Sequence, residues 1–177
     1  MRSILTNPVN LLCCLLLAMP AVAKQTDYQE KIYVDSNRQL AELGENKVSF
    51  LDAVVITQGT IKITADKVEV MRKGEKGAEE MIAYGSPATF FQILDNGKPV
   101  NARAKRLHYK LSEKLVILTE QAELQQEDNK VTSDVIRYDI QKQQMTAETT
   151  SKSSRVKTVF MPEQMSDQGQ TPKKGGQ

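Results

Sequence analysis

Apolar side chains recur at every second position along most of the chain: Val48 and Phe50, Val54 and Ile56, Ile61 and Ile63, Val68 and Val70, Ile82 and Tyr84, then Leu107, Tyr109 and Leu111. Period-two alternation places one set of side chains on a buried face and the other in water, the signature of half-buried β-strands. Turn chemistry falls between the runs, at Gln58-Gly59, Lys73-Gly74 through Gly77, Gly85-Ser86-Pro87, Asp95-Asn96-Gly97 and Asp128-Asn129. Such spacing predicts an all-β chain of strands about five to seven residues long. A helix over Arg103–Leu111 is the one competing element, favoured by its Ala and Lys content, but Leu107, Tyr109 and Leu111 keep a spacing of two.

The parity of the apolar positions changes from even to odd across Gly59 and returns to even after Ala65-Asp66. A slip of one residue would turn every later side chain to the wrong face, so a bend or bulge is expected at each place, and repeated corners predict a curled or V-shaped sheet. The pattern also repeats. Displaced by 68 positions without a gap, Leu43, Val48, Phe50, Val54, Ile56, Gln58, Ile63, Thr64, Asp66, Val68 and Val70 fall on Leu111, Val116, Leu118, Ala122, Leu124, Gln126, Val131, Thr132, Asp134, Ile136 and Tyr138. Duplicated strand sets that share one apolar interior suit an elongated scaffold with a surface-extended function such as binding or bridging.

Three segments stand outside this pattern. Met1–Ala23 carries Arg2, an apolar stretch from Val9 to Ala18 and the small residues Ala21-Val22-Ala23, which is the make-up of a cleaved secretion signal. Its apolar stretch is shorter than the roughly 20 residues of a membrane anchor. The charged, glycine-bearing run from Lys73 to Glu80 reads as a mobile loop, and residues 163–177 as a disordered polar tail following a domain that covers 24–162. The only cysteines, Cys13 and Cys14, lie in the leader and lack the small residues of a lipoprotein box, so neither a disulfide nor a thiolate metal site is expected in the exported chain.

Charge and composition narrow the partners. The chain holds 24 basic and 22 acidic residues, and loss of the leader removes only Arg2, leaving a net charge of about +1. Nucleic-acid binding calls for a basic excess and interleaved aromatic residues, and this chain has neither, with no tryptophan at all. His108 is the only histidine and has no cysteine or second histidine to complete a zinc site, so a surface or rim position is expected for it. Asp66 and Asp134 occupy matching places in the repeat and offer a glycosidase-like carboxylate pair, against a plainer reading in which each caps a repeated turn. Nucleophile-elbow, phosphate-loop and dinucleotide motifs are absent, so neither an enzyme nor a cofactor is expected.

One long stretch carries a specific likeness. Thr57-Gln58-Gly59-Thr60-Ile61-Lys62-Ile63-Thr64-Ala65-Asp66-Lys67-Val68, followed by Tyr84-Gly85-Ser86-Pro87-Ala88-Thr89-Phe90 and Asp95-Asn96-Gly97-Lys98-Pro99-Val100, closely resembles the OstA-like family of periplasmic lipopolysaccharide-transport proteins. The likeness runs from about Ile32 to Pro162, with Leu124-Gln125-Gln126 and the Gly169–Pro172 tail included. It implies a slightly twisted β-jellyroll, open along one side, of about 14–16 short antiparallel strands. It further implies that the apolar interior shelters lipid A acyl chains of lipopolysaccharide, and that copies stack head to tail through their edge strands. Its implied partners are an inner-membrane LptC-type protein and an outer-membrane LptD-type translocon. Where the family carries a Thr-Gly-Asn turn, this chain has Leu51-Asp52-Ala53 and Thr119-Glu120-Gln121, so a left-handed backbone would be strained at Asp52 or Glu120.

Parity and the resemblance together place Ile32, Val34, Val48, Phe50, Ile61, Ile63, Phe90, Tyr109, Leu111, Val116 and Leu118 on the inner, lipid-binding wall, with Lys62 and Lys110 facing outward. Arg103 and Lys105 are candidates for phosphate contacts at the groove rim or for an ordinary solvated face. The competing functions are an adhesin-like β-repeat protein that binds no lipid and a carbohydrate-active enzyme. An adhesin would take up no lipopolysaccharide, and an enzyme would need a cluster of titrating groups.

Overall fold

The computed structural model describes residues 26–73 and 78–162. The leader, the tail and Gly74–Gly77 of the expected loop lie outside these residues. Two 3-10 turns, Asp27–Gln29 and Leu43–Glu45, accompany ten strands: β1 (Ile32–Asp35), β2 (Arg38–Glu42), β3 (Lys47–Gln58), β4 (Ile61–Lys73), β5 (Ala78–Ile93), β6 (Pro99–Lys110), β7 (Leu115–Gln126), β8 (Asn129–Asp139), β9 (Gln144–Glu148) and β10 (Lys157–Val159). All pairings are antiparallel, in the order β1-β3-β4-β5-β6-β7-β8-β10, while β2 also pairs with β3 and β9 with β8. Arg103–Lys110 is strand, as the spacing of Leu107 and Tyr109 requires.

The six strands from β3 to β8 are long because each runs through a corner instead of ending there. Register shifts fall in line across the sheet, between Leu51 and Val54, Thr64 and Lys67, Tyr84 and Ala88, Arg103 and Arg106, and Thr119 and Ala122. Together they form a crease that folds the sheet into two facing halves. The strand count expected from sequence, about 14–16, thus becomes ten continuous strands, since a bulge absorbs a parity slip without breaking the chain. Gly85-Ser86-Pro87 is not a turn between strands but the part of the crease inside β5, and Ala78–Glu80 belong to the same strand, paired with Lys73–Met71. The parity change at Gly59 is a tight hairpin, and the one at Ala65-Asp66 is a bulge.

The duplication reappears in the backbone. Left-handed φ values occur at Asn46, Asp52, Ala53 and Gly59, and again 68 positions on at Lys114, Glu120, Gln121 and Glu127. Arg72 N donates to Asn46 O at 3.1 Å, and Ile140 N to Lys114 O at 2.9 Å. Neither crease turn contains glycine, so Asp52 (φ 65°), Ala53 (52°), Glu120 (64°) and Gln121 (63°) each hold a conformation that costs about 1 kcal/mol or more. Asp52 is tied down by Arg38 Nε at 2.6 Å and by Asn37 N, which donates to its carbonyl at 3.1 Å.

The same offset explains the two ends. Ile32↔Gln58 and Arg38↔Leu51 match Val100↔Gln126 and Arg106↔Thr119, so β1 and β2 are the two pieces of a broken counterpart of β6. Lys157↔Thr132 matches Thr89↔Thr64, which makes β10 the counterpart of the second part of β5. The sheet does not close on itself. β1 and β2 form one unpaired edge, β9 and β10 the other.

Candidate functional site

Folding at the crease brings the alternating aliphatic positions of both halves face to face. One half contributes Val68, Met81, Leu107, Tyr109, Val116, Leu118, Ile136 and Tyr138, and the other Val54, Ile56, Ile61, Ile63, Phe90, Ala102 and Leu124. Of the eleven positions assigned to the inner wall, Ile61, Ile63, Phe90, Tyr109, Val116 and Leu118 are at most 1% exposed. Ile32, Val34, Phe50 and Leu111 are half-buried against the same cluster, and Val48 is half-buried beside them on β3. All eleven therefore share one face. Lys62 is exposed on the opposite side of β4, and Lys110 on the outside of β6 reaches Glu113 at 2.9 Å.

The interior is filled by these side chains. Phe90 meets Tyr138 across the two halves edge to face, with ring centroids 5.9 Å apart. At the free end of one half, beside the β2–β3 connection, the half-buried Val48 and Val70 line a cleft of about 210 Å3 with Leu43, Asn46, Lys47, Arg72 and Glu79. Of the half-buried wall residues, Ile32 and Val34 are on the edge strand β1, Val48 and Phe50 on β3, which pairs with both edge strands, and Leu111 follows β6.

Opposite the crease, the free ends of the two halves meet along a seam, and polar side chains bridge it. Tyr109 OH donates to Gln58 Oε1 at 2.9 Å, and Gln58 Nε2 donates onward to Glu30 O at 3.1 Å. In parallel, Tyr138 OH donates to Gln92 Oε1 at 3.0 Å, and Gln92 Nε2 to Asp27 Oδ2 at 3.1 Å. A third bridge joins Gln143 Nε2 to Asp95 Oδ2 at 3.0 Å. Burial, with a contribution from Asp27, pushes the Tyr109 hydroxyl up to about 12; burial does the same for Tyr138, aided by Asp139, Asp27 and Asp95. Both phenols are thus neutral donors. The flank that the resemblance expects to be open is bridged here at the level of side chains, although the sheet itself stays open. Sequence reading missed Gln92 and Tyr138 as site residues, and its one available signal was a glutamine at an inward parity position next to a turn, as at Gln58 and Gln92.

The polar candidates lie elsewhere. Arg103 is on the outer face, its guanidinium 3.0 Å from Glu123, which also binds Lys130 at 2.6 Å. Burial raises the Glu123 carboxyl, but the hydrogen bonds from Lys130 and Arg103 outweigh it and hold the group below its usual range. Lys105 is exposed at the crease. Both residues fit the solvated-face reading. His108 is a half-buried outer-face residue 3.2 Å from Glu80, and burial lowers its pKa against the pull of that carboxylate. Asp134 anchors the return of the chain after β9 by accepting from Thr150 N at 2.8 Å and Thr150 Oγ1 at 3.1 Å, and those bonds hold its carboxyl low. Asp66 is on β4 and Asp134 on β8, four strand spacings or roughly 19 Å apart, twice the reach of a glycosidase pair. No cluster of three or more His, Cys, Asp or Glu able to hold a metal is present among the described residues.

Comparison with known proteins decides what this creased sheet belongs to. The family described as the LptA/(LptD N-terminal domain) LPS transport protein matches residues 33–144. The chain belongs to this family. It is 45% identical over 164 residues to the lipopolysaccharide export system protein LptA of Escherichia coli strain K12, covering 89% of this chain and 88% of that protein. It is 42% identical over 165 residues to LptA of Haemophilus influenzae, covering 92% and 95%. Among solved structures, that of LptH from Pseudomonas aeruginosa, described as the LptA-homologous periplasmic component of the lipopolysaccharide transport device, superimposes with a TM-score of 0.70 at 25% identity, over 78% of this chain and 100% of the other. The creased all-β fold is thus the fold of the LptA family. The names of these relatives describe lipopolysaccharide export and transport.

Proposed function

We propose that this protein binds lipopolysaccharide in the periplasm, shields lipid A acyl chains between the two halves of its creased sheet, and bridges the inner and outer membranes. The observation that carries the reading is membership of the LptA family combined with an aliphatic interior shared by both halves and a cleft at the free end of one of them. Each acyl methylene withdrawn from water contributes about 0.8 kcal/mol, so an exposed multi-chain lipid could not cross an aqueous compartment unaided. Aliphatic wall residues without a fixed polar pattern hold such chains at nearly equal depth along the path, which lets lipid pass from one station to the next. The acyl-chain wall is formed by Ile32, Val34, Val48, Phe50, Ile61, Ile63, Phe90, Tyr109, Leu111, Val116 and Leu118.

Bridging uses the two open edges. Exposed apolar residues gather there, Tyr33, Leu40 and Leu43 at one edge and Met145, Val156, Val159, Phe160 and Met161 at the other. Unpaired edges of this kind recruit another strand. In the middle of the molecule β5 pairs with β6, and the two edges are the counterparts of those strands, so end-to-end stacking repeats an arrangement the chain already makes. One edge then meets the opposite edge of a second copy or an LptC-type protein, and the other edge a further copy or an LptD-type translocon.

Photocrosslinking from Phe90 or Leu111 is expected to capture lipopolysaccharide. A lipid adduct formed only from Lys62 or Lys110 would refute the wall assignment. Light scattering against protein concentration is expected to show growth of the assembly, which deletion of residues 157–177 abolishes.

A further inference from the structure

The two flanks of the folded sheet are closed by different chemistry. At the crease, six strands run through without interruption, so that side can widen only by unzipping backbone ladders. At the seam, no strand crosses among the described residues. Beside the exposed Gln143–Asp95 bridge, its closure rests on two matched relays, Tyr109–Gln58–Glu30 and Tyr138–Gln92–Asp27, each running from a tyrosine of one half through a glutamine of the other to the segment just before β1.

That segment is built to lie across the seam. Asp27 accepts from Thr60 N and Thr60 Oγ1, both at 2.7 Å, which fastens it to the β3–β4 hairpin. Gly59 of that hairpin is left-handed (φ 59°), and a Cβ there would collide with the Asp27 carboxylate, so the hairpin has room for this segment only as glycine. On the other side of the seam, Lys114 Nζ sits 4.3 Å over the ring of Tyr28, which packs on the core. Beneath the segment remains a small cavity of about 110 Å3, walled by residues of both halves including Thr60, Ile93 and Ile140.

We propose that residues 27–30 form a strap that latches the seam, and that the acyl chains of an amphiphile reach the interior laterally by displacing it. The proposal rests on the lipid-binding reading above. Its physical basis is a difference in what is lost on opening. Apolar contacts between the halves are replaced by equivalent contacts with acyl chains, so the interior loses little. The relays to Glu30 and Asp27 have no replacement in an acyl chain, and their rupture sets the barrier to uptake.

The test bridges the seam covalently. In a chain with Cys13 and Cys14 replaced by Ser, Asp95→Cys and Gln143→Cys place two thiols at the exposed third bridge, to be joined by dibromobimane, whose fluorescence reports the bridged product. Uptake of lipopolysaccharide is followed by co-migration and by a stopped-flow signal from fluorescent lipid A. The bridged protein is expected to take up lipid at least tenfold more slowly than the same protein left unbridged. Asp27→Ala and Gly59→Ala, which release the strap, are expected to accelerate uptake severalfold, with folding verified by circular dichroism. Equal uptake by bridged and unbridged protein, or unchanged rates in both release variants, overturns the latch and leaves lipid binding intact. Absence of uptake by the unbridged protein overturns both.

Discussion

The crease and the seam are the two long sides of one folded sheet, and they are held by different kinds of bond. The crease is made of backbone: bulges in five successive strand pairs, left-handed residues at Asp52, Ala53, Glu120 and Gln121, and Gly85 where no side chain fits. The seam is made of side chains: two tyrosines, two glutamines and a short strap. On the proposed lipid-binding reading, a protein that holds a shape and still admits a guest can strain the first and keep the second weak. The left-handed residues at the crease cost stability, and the aliphatic interior they help to bring together outweighs that cost.

The sharpest perturbation strikes the interior that both sides enclose. Ile63→Asp buries an unpaired carboxylate at a position 1% exposed and is expected to cost more than about 4 kcal/mol, read as loss of the folded baseline in urea titration. At the crease, a Cβ on Gly85 would stand 2.7 Å from Ala88 N and 2.9 Å from the Pro87 carbonyl carbon, both rigid backbone. Gly85→Ala is expected to cost about 2–3 kcal/mol. At the seam, Tyr109→Phe removes the donor to the buried Gln58 and is expected to cost about 1–2 kcal/mol, with faster lipid uptake in spite of the lower stability. A crease variant of equal cost should leave the uptake rate unchanged.

Two smaller effects carry opposite signs. Ala53→Gly and Gln121→Gly relieve left-handed strain at matching turns, and each is expected to raise stability by roughly 0.5–1 kcal/mol, equally within error because the turns are copies. The pH dependence separates the two sides. Tyr109 and Tyr138, pushed up by burial to about 12, contribute stability that is complete below pH 10 and drains away as pH rises toward 12, since the unfolded chain ionises first. Asp52 at the crease is held low by its hydrogen bond to Arg38, and Asp134 by its bonds to Thr150; their contribution is present above pH 3.8 and falls away in acid. Thermal melts of Tyr109→Phe/Tyr138→Phe should therefore lose the alkaline limb and keep the acid one.

Alternation along the chain determined that this is an all-β protein and which side chains face inward. These properties are local. Each depends on the period of the pleat and on the hydrophobicity of successive residues, so Ile61, Ile63, Phe90, Tyr109, Val116 and Leu118 could be assigned to the interior before any neighbour was known. Strand number was less accessible, because a bulge and a turn both shift parity and only backbone pairing tells Gly85-Ser86-Pro87 within β5 from Gly59 between β3 and β4. The tertiary structure alone decided that Arg103 turns to Glu123 on the outer face, that Asp66 and Asp134 stand four strands apart, and that Tyr109, Gln58 and Glu30 join in one relay. The contacts of that relay link residues 28 to 51 positions apart whose meeting depends on where the crease folds the sheet, and no periodicity in the chain records that angle.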